Sequence, residues 1–344
     1  MLNPRYAFIS ACLKGAETKT VTSEHIDRMA TASNLQDALA IIRETDIGSY
    51  LEDLPVRTFD DVDECLWGYL AQRIRYVESL KFLPKGILKL SRAYVVKYDI
   101  LNIKAALQGI SAGKKASMIP VGIIYNNALL DELSNAKNVD DIIQLLSKCK
   151  LGDYIPALEQ YKVDESVKSK LLAQTKLDNK YYENMLNVSK AISAGHVLSK
   201  TLGLIVDLTN LQIITRAIIG GIGAEIAEYA IAGGYMIVGQ AIKDLSSSEL
   251  AEMPAKLGGT PYQVIAKEML SSYEPTKSIS VISEIIDKHK FRLAKEMLST
   301  RLLSSLVMAW YLILKEVEVR NLRIVLKAIV DGAPIQEVKD FLVL

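Results

Sequence analysis

Along most of the chain, apolar residues return at intervals of three and four, the spacing that lays a single stripe along an α-helix. The run Ser33-Asn34-Leu35-Gln36-Asp37-Ala38-Leu39-Ala40-Ile41-Ile42 opens on an Asn suited to an N-cap, because its side-chain oxygen accepts from a free amide of the first turn. Asn138-Val139-Asp140-Asp141-Ile142-Ile143-Gln144-Leu145-Leu146 has the same arrangement. From Glu296 to Leu314 the apolar stripe widens until it is nearly all round, which predicts one long helix. Alternating, period-two stretches are short and few, so the expected class is all-α.

The pattern also recurs at long range. Asp99-Ile100-Leu101-Asn102-Ile103, Asp207-Leu208-Thr209-Asn210-Leu211 and Glu318-Val319-Arg320-Asn321-Leu322 each read acid, aliphatic, any residue, Asn, aliphatic, and they start 108 and 111 residues apart. Eleven positions after the acid stand Ile110, Ile218 and Ile329; fourteen after it stand Gly113, Gly221 and Gly332. With Leu107, Thr215 and Leu326 between them, these positions form one helical stripe that faces a core. The acid and the Asn, three apart, sit side by side at its edge. The glycine falls where a left-handed residue ends a helix.

A second element lies between these helices. Asn34, Asp37, Gly48 and Tyr50 recur 104 residues later as Asn138, Asp141, Gly152 and Tyr154. A degenerate third copy runs from Glu249 through Leu257 to Tyr262, and Gly332 to Val338 begins a fourth. These repeats predict three helical modules of about 110 residues, at 1–115, 116–223 and 224–344, a longer period than the roughly 20–50 residues of common solenoids.

Composition narrows the functional classes. Half of the 344 residues are hydrophobic and 24% are charged, enough apolar material for a large core. Lys and Arg number 41 against 40 Asp and Glu, so the basic surplus that phosphate-backbone binding needs is missing and nucleic acid is not an expected partner. Cys12, Cys65 and Cys149, like His25, His196 and His289, are scattered, with no metal-ligand spacing; no metal and no cofactor are expected. The opening Met1-Leu2-Asn3-Pro4-Arg5-Tyr6 leads into a stretch broken by Lys14 and Glu17, not a signal-peptide core. The longest uncharged runs, 116–130, 229–242 and 302–314, are shorter than the roughly 18–20 residues of a membrane helix and read as core helices.

Tyr98-Asp99-Ile100-Leu101-Asn102-Ile103-Lys104, Val206-Asp207-Leu208-Thr209-Asn210-Leu211 and, most specifically, Lys315-Glu316-Val317-Glu318-Val319-Arg320-Asn321-Leu322-Arg323 resemble the C subunit of the archaeal and bacterial A/V-type ATP synthases, whose eukaryotic relative is the d subunit of the V-type ATPase. Tyr6-Ala7-Phe8-Ile9-Ser10-Ala11, Lys14-Gly15-Ala16-Glu17 and Thr45-Asp46-Ile47-Gly48 are similar to the family too, so the resemblance runs end to end. It implies a funnel of helices in three pseudo-repeated modules, without catalytic activity. Such a protein would lie on the cytoplasmic face of the membrane, on the proteolipid c-ring, and receive the foot of the central axle, formed by the D and F subunits, in its cavity. The first two modules depart from the third in lacking the Arg320 and Arg323 pair.

Two glycine-rich stretches imitate nucleotide sites. Gly109-Ile110-Ser111-Ala112-Gly113-Lys114-Lys115 has three residues between its glycines where a phosphate loop has four, and Lys115 in place of the Mg²⁺-binding hydroxyl; Gly220-Gly221-Ile222-Gly223 follows no strand. Helix ends and tight turns account for both. For the acid and Asn pairs, threefold repetition favours a structural role over general acid–base chemistry, since one active site does not need three dispersed copies. Glu316 and Glu318 are expected to pair with Lys315, Arg320 or Arg323 on their own helix, or with other modules. The basic set Arg216, Arg292, Lys295, Arg301, Arg320 and Arg323 reads as either solvated helix faces or a partner surface, and Ile218 to Gly239 as close packing or a partner-facing stretch. The alternative to a rotary coupler is a helical repeat adaptor that binds a protein or peptide in a concave face.

Overall fold

The computed structural model describes residues 4–52, 54–55, 57–163 and 166–343; Met1, Leu2 and Asn3 of the opening stretch lie outside the described residues. Among the described residues every regular element is helical. A helix α1 (Pro4–Glu17) precedes three short ones, α2 (Ser23–Met29), α3 (Leu35–Ile41) and α4 (Asp46–Glu52), and then a long pair, α5 (Phe59–Ser79) and α6 (Lys85–Ala112). The scheme returns: α7 (Ile123–Asn126), α8 (Leu130–Ser134), α9 (Val139–Lys148) and α10 (Ile155–Val163) lead to the long α11 (Val167–Ser189) and α12 (Gly195–Ile219). It returns again with α13 (Gln240–Ser246), α14 (Met253–Lys256) and α15 (Tyr262–Thr276) before α16 (Ile279–Leu298) and α17 (Leu306–Asp331), and α18 (Ile335–Val338) closes the order.

Local chemistry sets these ends. Asn34 and Asn138 accept from the Asp37 and Asp141 amides, both at 3.0 Å, and so cap α3 and α9. Thr58 accepts from the Asp61 amide while the Asp61 carboxylate takes the Thr58 N–H, a capping box at the start of α5. Gly113 and Gly332 end α6 and α17 in the left-handed conformation, at φ 60° and 67°. At α12 the cap is Gly220, and the left-handed glycine is the next residue, Gly221.

The single helix expected over 296–314 is two helices. α16 stops at Leu298 and α17 starts at Leu306. Between them Ser304 donates to the Arg301 carbonyl and accepts from the Leu306 amide, so its hydroxyl supplies the turn with bonds that compete with helix. The apolar stripe continues across the turn because both helices pack on one core, and this hid the break.

The long helices close on themselves. α6 packs along α11, α12 along α16, and α17 returns to pack along α5. One hydrophobic core therefore joins chain ends, with Ile9 and Leu13 of α1, Leu66 and Leu70 of α5, and Leu322 and Leu326 of α17 all buried in it. A second core holds Leu208, Leu211 and Ile214 of α12 against Ile282, Ile285 and Ile286 of α16. The turns between paired long helices gather at one end: Phe82 of the first lies edge-on to Phe8, Tyr6 bonds Ser305 of the third at 3.1 Å, and Gly86 lies against Ile192 of the second.

By length and composition α12 is apolar enough to cross a membrane, although Asp207 interrupts its uncharged run. The most apolar 18-residue window of this helix is 67% buried inside the protein, as expected of a core helix.

Candidate functional site

The acid and Asn of each repeated motif grip the main chain. Asn102 donates to the Ile119 carbonyl at 2.9 Å and accepts from the Ile119 amide at 2.8 Å. Asn210 does the same to Ile231, at 2.9 and 2.8 Å, and Asn321 to Val343, at 2.7 and 3.1 Å. An Asn side chain carries a donor and an acceptor side by side, so it pairs with a single residue's backbone as a neighbouring strand would. In each case the gripped residue lies in the segment that follows the motif helix.

The first two acids hold the chain a few residues further on. Asp99 accepts from the Ile123 and Ile124 amides, both at 2.9 Å. Asp207 accepts from Tyr235, Met236 and Ile237, at 3.0, 2.7 and 3.0 Å, and from the Tyr262 hydroxyl at 2.8 Å. Both acids are fully buried. Burial pushes Asp99 up to about 7 against the pull of its two amides, and burial with the bond to Asp207 raises the Tyr262 phenol above its ordinary range. Room for these loops to approach comes from Gly122 and Gly234, where a Cβ would run into the Asp99 and Asp207 carboxylates; Gly122 also has a φ of 116°.

The third acid reaches across the molecule. Glu318 accepts from the Val21 amide at 2.7 Å, just ahead of α2, and from Lys315 at 2.9 Å, while the Tyr69 hydroxyl of α5 lies 3.4 Å away. Lys315 also reaches Thr20 at 3.3 Å. The side chains of this ion pair are 0% and 1% exposed, and burial raises Glu318 above its ordinary value although Lys315 opposes the shift. The joint between last and first repeat is thus made by side chains where the other two are also bridged by continuous chain.

Of the other expected partners, Glu316 bonds Lys97 and Tyr94 of α6, and neither Arg320 nor Arg323 pairs with an acid of α17. Arg320 donates to the Phe341 carbonyl and lies over the Phe291 ring; Arg323 pairs with Asp63 and covers Trp67. Both arginines tie α17 to neighbouring elements, which explains why a guanidinium stands there. Arg292, Lys295 and Arg301 are exposed. In the stretch from Ile218 to Gly239, Ile226, Ile231 and Ile237 are buried, whereas Tyr235, Met236 and Val238 are exposed.

Inside the hoop of long helices is a cavity of about 420 Å³ lined by α6, α11, α12, α16 and α17. Near the end where the hairpin turns gather, its wall is Leu90, Leu198, Leu298 and Met308; two to five turns further along, it becomes Lys97, Lys104, Asp178, Arg216, Lys290 and Glu316. Lys97 lies 3.9 Å from the centroid of the Tyr94 ring and 5.0 Å from that of Tyr98, and burial lowers its pKa although Glu316 opposes the shift. Sequence reasoning found the motif helices but missed Lys97, Lys104, Gly122 and Gly234. The glycines, 23 and 27 residues after their acids, were the available signal. No group of His, Cys, Asp and Glu able to hold a metal occurs among the described residues.

The sequence profile of the ATP synthase (C/AC39) subunit matches residues 9–341. The A-type ATP synthase C subunit of Methanocaldococcus jannaschii is 24% identical over 98% of this chain and 86% of that protein. Its counterpart from Methanothermobacter thermautotrophicus is 27% identical over 92% of this chain and 84% of the relative, and that of Thermococcus kodakarensis 25% over 98% and 90%.

Proposed function

The chain belongs to the ATP synthase (C/AC39) subunit family, and from that premise we propose that it is a non-catalytic coupler in the rotor of an A/V-type enzyme, three helical modules at 1–115, 116–223 and 224–344 set between a membrane ring and a central axle. In this reading the protein rests on the proteolipid c-ring at the cytoplasmic face without entering the lipid. The D and F subunits seat in its cavity, and ion-driven rotation passes through it to or from the nucleotide-processing head.

The observation that supports this most is the closure of the long helices around a central cavity, α6, α11, α12, α16 and α17 lining it and α17 returning to α6 through Glu316 and Lys97. A torque-bearing part must resist shear between its two partners. Main chain gripped by buried Asn and acid side chains at every repeat junction supplies that stiffness, because each grip must lose several buried hydrogen bonds together before the junction slips.

The test is reconstitution of the full chain with the ring and with the axle subunits of the same organism. Stable association with both, and restoration of ion-coupled ATP turnover to a complex stripped of this chain, is the expected result. A protein that stays monodisperse in the presence of both, or that hydrolyses ATP alone, overturns the reading.

A further inference from the structure

The chain as a whole is nearly neutral, with 41 Lys and Arg against 40 Asp and Glu, but the end where the hairpin turns gather is not. The turns at 80–86, 190–196 and 299–305, with 4–8 of α1 beside them, carry Arg5, Lys81, Lys85, Lys190 and Arg301 and no acid. All five cations are exposed. The first acids back along the helices are Glu78, which accepts from the Ser91 hydroxyl at 3.0 Å, Glu183, which pairs with Lys180, and Glu296. Among the described residues Lys81, Lys85 and Arg301 make no ion pair.

Apolar side chains stand among these charges. Phe82 is 68% exposed, and Phe8, Leu302 and Leu303 are 41–46% exposed. Four of the eleven large apolar side chains exposed among the described residues thus fall in these short segments, a clustering that marks an interaction surface. Phe82 has a φ of 61°, a left-handed conformation that strains a phenylalanine and that a glycine adopts freely, and its ring meets Phe8 edge-on. Apolar tips set among cations suit an anionic bilayer: the cations attract headgroup phosphates, and the tips enter the boundary between headgroups and acyl chains. A fluid headgroup layer fits tips on three separate turns without shape complementarity, whereas a protein partner needs acids and a matching surface at the same spacing.

We propose that this end binds anionic lipid headgroups directly, with the four apolar tips at headgroup depth and the helices above it. The proposal goes beyond the coupler reading by adding a contact with the bilayer to the one with the ring, and its test is separate from ring binding.

The experiment is sedimentation of the full-length chain, in about 0.1 M salt, with large vesicles of phosphatidylcholine alone or with about a third phosphatidylglycerol. Wild type should bind the anionic vesicles and not the neutral ones. Each cation at an anionic surface is worth about fivefold, so Lys81→Gln with Lys85→Gln should lower binding about 25-fold. Phe82→Gly removes the ring where the backbone already suits a glycine, and should lower binding several-fold while the thermal melt holds or rises. The same two charges removed at Lys114 and Lys115, about 40 Å away along α6 and far beyond the screening length of about 10 Å, should leave binding nearly unchanged. A wild-type chain that ignores anionic vesicles, turn variants that bind as wild type does, or a control pair that costs as much as the turn pair overturns the proposal. So does unchanged vesicle binding with weakened binding to the purified ring, which would make this end a protein interface. A chain that binds the vesicles and not the ring refutes the coupler reading and leaves the lipid contact standing.

Discussion

Asn210→Asp replaces an NH₂ with an oxygen and leaves the volume of a fully buried side chain unchanged. The Ile231 amide keeps its acceptor, but the Ile231 carbonyl, now 2.9 Å from a donor, would face a second acceptor. Two responses are open. An ionised Asp leaves a buried carbonyl unpaired beside a buried charge; a protonated Asp restores the donor. Protonation costs about 1.4 kcal/mol for each pH unit above an ordinary Asp pKa of about 3.9, so about 4 kcal/mol at pH 7 and about 1.5 kcal/mol at pH 5. The folded variant holds a proton that the unfolded chain has lost, so its stability falls as pH rises from about 4. Urea unfolding followed by circular dichroism at pH 5, 6 and 7 should show a deficit against wild type that grows with pH, whereas Asn210→Ala should lose about 2–4 kcal/mol at every pH. A variant as stable as wild type at pH 7 would refute the two-point grip, whereas a deficit independent of pH would mean that the side chain stays ionised and the Ile231 carbonyl is left unpaired.

Other outcomes follow from the same joints. Asp99 is pushed up to about 7 from 3.8 by burial, so the stability it contributes is complete below the unfolded value and lost as pH rises through about 7; relative to Asp99→Asn, wild type should lose about 3 kcal/mol between pH 4.5 and 7.5, read by the same titrated unfolding. Glu318→Ala strands Lys315 in the core and should cost about 3–5 kcal/mol, while the double change Lys315→Met with Glu318→Leu recovers more than half of it; equal losses would mean that the charge is not what matters. Gly122→Ala brings a methyl group onto the Asp99 carboxylate at a φ of 116° and should cost more than about 2 kcal/mol in a thermal melt, with Gly113→Ala milder because only its φ is strained.

Much of this was readable in the chain. The acid, the Asn and the terminal Gly of α6, α12 and α17 recur at fixed offsets, and periodic apolar positions declared the helices around them. What the three motif pairs hold was not readable, because their partners are main-chain groups of Ile119, Ile231 and Val343, which carry no mark in the sequence. Side-chain identity likewise could not tell that Arg323 would choose Asp63 rather than Glu316, since both acids are equally suitable until α17 is laid against α5. The turn at Ser299–Ser305 was concealed by apolar residues on both sides of it. The lysines of the cavity wall lie on helices whose inner and outer faces are both partly polar, and only the closure of the hoop distinguishes them.

The contact of α17 with α5, and of Glu318 with Val21, joins residues that are far apart in the order of synthesis, 297 positions in the second case. As the chain leaves the ribosome, α5 and α6 are complete while the helix that covers α5 is still some two hundred residues away. Leu66 and Leu70 must therefore wait, uncovered or in provisional contacts, until the last long helix arrives. The hoop is sealed late, by its final helix, and a chain truncated before α17 would be left with its first core open and prone to associate with other copies.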